Sequence, residues 1–211
     1  MVTTRNRSKN RPRDSEATRA RILRALGRMI VRDGLSSVGI NALAREARCD
    51  KVLIYRNFGD LNGVYDAFAA CSDFWWSVDD LVGKLDPGPV PLGSALKQIL
   101  RRHTDAIRSR PVTLAVLASE LTARTPLVVA LEKVREQRSL ALAQWVGEHY
   151  RVPAGVDFEA ISMILGVAIN YLAVRGRKIR VMSGIPIKTD KDWERILAAV
   201  DGLIDGVSRA A

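Results

Sequence analysis

The sequence predicts an all-α protein, with an N-terminal three-helix domain carrying a helix-turn-helix, followed by a larger helical ligand-binding and dimerisation domain. Three observations carry that expectation. Apolar residues recur at three- and four-residue spacing from Ser15 almost to the C-terminus. Breakers divide the pattern into helix-length segments: "DPGPVP" at 86–91, Pro111, Pro126, "VPAG" at 152–155 and "SGIPI" at 183–187. Positive charge is concentrated at one end. Residues 1–60 hold 14 Lys and Arg against 6 Asp and Glu, a net +8 of the chain's +10, while residues 61–211 hold 19 against 17. Charge serving solubility alone would be spread along the chain; charge gathered like this suits a module that binds a polyanion.

The elements follow in order. Residues 1–14 lack apolar periodicity and carry Arg5, Arg7, Lys9, Arg11 and Arg13, so they read as a disordered basic arm. From Ser15, the repeat Ile22, Ala25, Leu26, Met29, Ile30 marks a first helix, with Asp14 or Ser15 as cap and Gly34 at its end. A short second helix spans Ile40 to Ala47, with Ile40, Leu43, Ala44 and Ala47 turned inward. Asp50 offers the N-cap for a third, Lys51 to Asn57. Only Arg48, Cys49 and Asp50 separate these two, so residues 15–60 read as a helix-turn-helix domain. Residues 61–211 read as the effector-binding and dimerisation domain, with helices near 61–82, 92–109, 112–123, 126–150, 157–176 and 190–208. Lys178–Met182 is a weak strand signal.

The third helix holds four consecutive apolar residues, Val52 to Tyr55, between Lys51 and Arg56. A helix this short can bury one stripe. At about 100° per residue, Ile54 and Phe58 share the inward face. Lys51, Val52, Tyr55 and Arg56 form another that the small domain does not need. Two cations, a phenol and a branched methyl pair suit a duplex groove: Lys and Arg meet phosphates or guanine edges, the Tyr hydroxyl can bond a phosphate, and Val can meet a thymine methyl. Leu53 reads as packing on the next domain, which is the alternative for Val52.

These residues resemble the N-terminal domain of TetR-family transcriptional regulators. The match runs from Thr18 through Val64 and includes Thr18, Ile22-Leu23, Ala25, Gly34-Leu35, Ile40, Leu43-Ala44, Ala47, Leu53-Ile54-Tyr55 and Phe58. The resemblance implies a ligand-responsive regulator, a repressor, that binds a palindromic operator as a homodimer and is released by a small apolar or amphipathic effector. DNA-binding residues would be Arg45, Arg48, Lys51, Val52, Tyr55, Arg56 and Asn57. The sequence also departs from the family. Gly39 stands where the family usually has Ser or Thr, the usual "AGVS" turn is Ala47-Arg48-Cys49-Asp50, Val52 replaces an early glycine, and Leu61 replaces a Lys. These changes imply an unusual operator, or a phosphate grip moved to Arg45, Arg48 and the arm.

One motif holds a duplex poorly, and a dimer would set two reading helices about 34 Å apart or a multiple of it. Residues 160–174, "AISMILGVAINYLAV", are apolar nearly all round and need cover on every side. Candidate dimer residues are Ile161, Leu165 and Ile169 there, and Trp193, Ile196, Val200, Leu203, Ile204 and Val207 in the last helix. Completing the protomer core is the alternative. Candidate effector-pocket residues are Trp75, Trp76, His103, Ile107, Leu117, Glu120, Trp145, Met163, Asn170 and Tyr171, a helix-lined apolar site with a few polar groups.

Other classes find little support. Composition is 47% apolar, enough for a real core, and no apolar run reaches the ~18 residues of a membrane span. No apolar leader opens the chain. Cys49 and Cys71 fit neither a metal spacing nor a disulfide framework and read as buried thiols of a cytoplasmic protein. HExxH, P-loop, GxGxxG and GxSxG patterns are absent, so neither an enzyme nor a cofactor or metal is expected. His103, in "RRHTDAIRSR", reads as a solvated surface histidine. "RGRKIR" at 175–180 reads as a solvated loop, with DNA or acidic lipid as the alternative partner. A helical small-molecule or protein-binding module whose helix-turn-helix no longer reads DNA is the second hypothesis.

Overall fold

The computed structural model describes residues 11–71, 74–88 and 90–210. Its elements are α1 (Arg11–Asp33), a 3-10 turn (Leu35–Ser37), α2 (Ile40–Glu46), α3 (Lys51–Phe58), α4 (Leu61–Ala70), α5 (Val78–Val82), α6 (Leu92–Arg108), α7 (Pro111–Glu120), α8 (Pro126–His149), α9 (Phe158–Gly176), β1 (Val181–Met182), β2 (Ile185–Pro186) and α10 (Asp190–Ala210). Arg5, Arg7 and Lys9 of the expected basic arm lie outside the described residues. Arg11 to Asp14 do not belong to a disordered arm, because they form the first turn of α1.

The first three helices assemble around one apolar stripe. Ile22, Ala25, Leu26, Met29 and Ile30 of α1 are buried together with Leu43 and Ala47 around α2 and Ile54 of α3. Polar staples reinforce that packing. Arg28 Nε donates to Glu46 Oε1 at 2.9 Å, and Arg32 Nη2 donates to Glu46 Oε2 at 3.1 Å. Arg19 lies over the Phe58 ring, 4.3 Å from its centroid, and donates to the Asn57 carbonyl. α1 also packs on α4 and α7, so the sequence division at residue 60 does not coincide with a gap in packing. α3 turns into α4 at Gly59, whose φ of 80° is left-handed. A Cβ on Gly63 would sit 1.9 Å from the Phe58 carbonyl oxygen, so the close approach of α4 to the end of α3 requires glycine there.

The single helix expected near 61–82 is two. α4 stops at Cys71, and α5 begins after Ser77, whose hydroxyl and backbone N–H form a reciprocal capping box with Asp80. Between them Phe74, Trp75 and Trp76 are buried off-helix. Side chains satisfy their carbonyls: Thr113 Oγ1 donates to Phe74, and Arg138 donates to Trp75 and Trp76. Near the C-terminus, Val181–Met182 pairs antiparallel with Ile185–Pro186 across Ser183 and Gly184, both at positive φ. The first strand is the end of the weak strand signal at Lys178–Met182, and the breaker at 183–187 supplies the turn and the second strand.

Among the described residues, α9 alone is long and apolar enough to cross a membrane, with a mean hydropathy of 1.4 over its 18-residue window. One face packs on α6 and α7. Met163, Ile164, Val167 and Tyr171, on the other, are exposed, as is Leu203 of α10. Three dimer candidates are corrected by burial: Ile169, Trp193 and Ile204 already lie inside the protomer, at 1%, 2% and 4% exposure. Ile161, Leu165, Ile196, Val200 and Val207 are half-buried. The cysteines are half-buried rather than buried. Desolvation pushes the Cys49 thiol up, and Cys71 Sγ donates to the Ala67 carbonyl at 3.3 Å.

Candidate nucleic-acid interface and ligand cavities

α3 is capped at its start by Asp50, whose Oδ1 accepts from the Val52 N–H at 2.8 Å. Its inward stripe is Ile54, fully buried, with Phe58 packed against the same core. Around the rest of the helix, Lys51, Val52, Tyr55 and Arg56 are exposed; Val52 shows 62% and Tyr55 46% of its surface. Arg45 at the end of α2 and Arg48 in the turn are exposed as well. Among the described residues, none of Arg45, Arg48, Lys51 and Arg56 joins an ion pair, whereas Arg28 and Arg32 on the flank of α1 spend their charge on Glu46 and Asp33. The pairing is partial on α1 itself, since among the described residues Arg21 and the exposed Arg24 join no ion pair either.

Asn57 is a correction. Its Oδ1 accepts from Ser15 Oγ at 2.9 Å and its Nδ2 donates to the Leu53 carbonyl at 2.7 Å. Both ends of the amide are engaged within the protein, so this residue anchors α3 to α1 instead of facing a ligand. The turn carries backbone strain: Arg48 adopts φ +50°, a left-handed conformation that glycine takes without penalty. Gly39 caps α2 from extended backbone with no side-chain hydrogen bond, so any L-residue could occupy it.

The effector candidates do not form one site. Trp75, His103, Met163 and Asn170 line a cavity of about 660 Å³ among α6, α8, α9 and α10. Leu117, Glu120, Tyr171 and again Asn170 line a second, of about 690 Å³, among α1, α7 and α9. Ile107 is fully buried and borders neither, and Trp145 stacks instead on His149, at 4.4 Å between ring centroids. Trp76 lies behind the first cavity, edge-on to His103 at 5.8 Å. His103 is buried, not solvated as its cationic neighbours suggested. Burial depresses its pKa to about 4, against the opposing effect of hydrogen bonds to Asn170 and the Gly166 backbone. It is therefore neutral at physiological pH. The indole N–H groups of Trp75 and Trp76 are buried with no hydrogen-bond partner among the described residues.

Comparison with solved structures places this architecture. A TetR-family transcriptional regulator from Haemophilus influenzae superposes with TM-score 0.62 at 15% identity, covering 89% of this chain and 96% of that one. The fold is that of TetR-family regulators. NalD of Pseudomonas aeruginosa, the secondary repressor of the MexAB-OprM multidrug efflux pump, gives TM-score 0.63 at 18% identity over 88% of this chain and 94% of that one. GusR of Salmonella enterica gives 0.61 at 17% identity over 90% and 96%. No protein-family model and no curated protein matches the sequence. In the TetR-like frame of this chain, sequence reasoning missed the sharing of Asn170 between two cavities. It also missed the anchoring role of Arg19 beneath α3. The i, i+3 and i+4 pattern of α9 marks which residues are apolar but not which cavity they face.

Proposed function

We propose that this chain is a DNA-binding transcriptional regulator of TetR type, acting as a homodimer and repressing until a small molecule binds. The observation that carries the reading is the exposure of Arg45, Arg48, Lys51 and Arg56, none in an ion pair among the described residues, together with the uncovered Val52 and Tyr55 on and around α3. Direct readout would fall to Lys51, Val52, Tyr55 and Arg56, with Arg45 and Arg48 gripping phosphates. A second copy docking on the exposed apolar face of α9 and α10 would cover Met163, Ile164, Val167, Tyr171 and Leu203. That cover accounts for an apolar helix left open in a protein that acts in the cytoplasm, and it sets two reading helices on one duplex.

The effector site of this reading is the cavity bounded by Trp75, His103 and Asn170. Its walls are largely apolar, its buried histidine is neutral, and its charged residues are Arg135, Glu136, Asp157 and Glu159, which suits a small apolar or amphipathic molecule. Repression is relieved if the ligand favours a dimer whose reading helices are misplaced. Shifting that population from 1:99 to 99:1 takes about 5.5 kcal/mol of differential affinity.

The test is duplex selection from a random library, followed by a salt titration of the winner. A palindromic winner is expected, with log K falling by about 0.9 per phosphate contact against log salt. Binding that ignores salt would leave instead a helical binding module with a non-reading helix-turn-helix.

A further inference from the structure

The "RGRKIR" cluster takes no part in the proposed DNA face or the Trp75 cavity. It rims the second cavity. Arg175, Arg177 and Lys178, around the C-terminal end of α9, all border the 690 Å³ space, open to solvent, that α1, α7 and α9 line; its outer residues Val167 and Tyr171 belong to the face proposed for the second copy, and the ligand contacts use neither. The three cations are exposed, and among the described residues none joins an ion pair. The acid in this wall, Glu120, is already neutralised: Arg135 Nη1 donates to its Oε2 at 2.8 Å, both side chains being largely covered. The other walls are apolar: Leu117 of α7 is buried, Val174 of α9 half-buried, and Val31 of α1, 39% exposed, stands at the rim. The neighbouring cavity has the opposite balance, since its charged lining is Glu136, Asp157 and Glu159 against the same Arg135.

We propose that the α1–α7–α9 cavity is a second small-molecule site, built for a free single-chain amphiphile with an anionic head. The tail lies against Val31, Leu117 and Val174. The carboxylate or phosphate head meets Arg175, Arg177 and Lys178 by charge-assisted hydrogen bonds. A volume of this size accommodates a ligand of drug-like dimensions. The position makes the site a sensor. Val31 stands in the last turn of α1, and the Gly34 N–H that closes that helix bonds the Ile30 carbonyl at 3.1 Å. An occupant therefore presses on the helix end that leads directly into the helix-turn-helix. The binding claim itself does not depend on DNA recognition.

Calorimetric titration of the full chain with sodium decanoate, below its micelle concentration, tests the site. Decyltrimethylammonium serves as the control of opposite charge, and phosphatidylglycerol vesicles as the membrane source of the same chemistry. Saturable decanoate binding is expected, one per protomer, with the cation failing to compete. The R177A/K178A double variant should weaken decanoate about tenfold or more while keeping the wild-type unfolding midpoint. Val31→Trp should block the site, and Leu140→Trp, which crowds the other cavity, should leave it unchanged. If Val31→Trp fails to fold, the double variant decides alone. Equal binding of decanoate and the cation would overturn the proposal. So would full affinity in R177A/K178A, loss of decanoate on Leu140→Trp, or binding to vesicles without binding to decanoate.

Discussion

His103 Nε2 lies 3.0 Å from Asn170 Oδ1, and Asn170 borders both cavities. An amide oxygen only accepts, so the neutral ring carries its proton on Nε2 and donates. The link ties α6 to α9 through a group that cannot charge cheaply. In the folded state the histidine titrates near 4; unfolded, it returns to about 6.5. The unfolded chain therefore binds more protons between those values, and stability rises with pH across that window.

Stability should accordingly fall as pH drops from about 6.5 towards about 4, with an upper bound of roughly 3 kcal/mol from this one residue. Urea unfolding at both ends of the window measures it. His103→Gln keeps a donor for Asn170 but cannot titrate, so it should flatten the slope. An unchanged slope in that variant would assign the pH dependence to other groups.

The exposed and buried sides of α3 should separate cleanly. Tyr55→Ala and Arg56→Ala should each weaken specific duplex binding by ~1–3 kcal/mol and leave thermal unfolding nearly unmoved, since neither side chain is in the core. Ile54→Ala, at a fully buried position, should cost ~2–5 kcal/mol of stability. Paired binding and melting measurements on the three variants check both statements.

Arg48→Gly should stabilise the protein by about 0.5 kcal/mol. The relief of a left-handed L-residue, ~1–2 kcal/mol, is partly offset by the greater backbone freedom of glycine in the unfolded chain. The same change removes an exposed cation, so the slope of log K against log salt should shrink by about 1 if Arg48 grips a phosphate. A variant both less stable and equally salt-sensitive would contradict the role given to this turn.

Val167→Glu places a charge in the exposed apolar face of α9 without touching the protomer core. It should convert a dimer to monomers in sedimentation and abolish binding to a palindromic duplex while half-site binding persists weakly. Ile169→Ala, two residues on and buried in the protomer, should lower the melting temperature instead.

Much of this was readable in one dimension. The period of Ile22, Ala25, Leu26, Met29 and Ile30, the Asp50 cap and the three-residue turn are local signals, and local signals determine which segments are helical and where α2 and α3 begin. The inward place of Ile54 and the openness of Val52 and Tyr55 followed from helical geometry alone. What the chain order could not settle depends on long-range packing. Buried aromatics at 74–76 broke a helix because Thr113 and Arg138, distant in sequence, satisfied their carbonyls. His103 went inside because α9 supplied Asn170, and Asn57 turned away from the reading face because α1 supplied Ser15. Ile169, Trp193 and Ile204 were drawn into the protomer, and one imagined pocket became two around Asn170. In each case a side chain found its partner on another helix, and periodicity within one helix carries no information about where that partner stands.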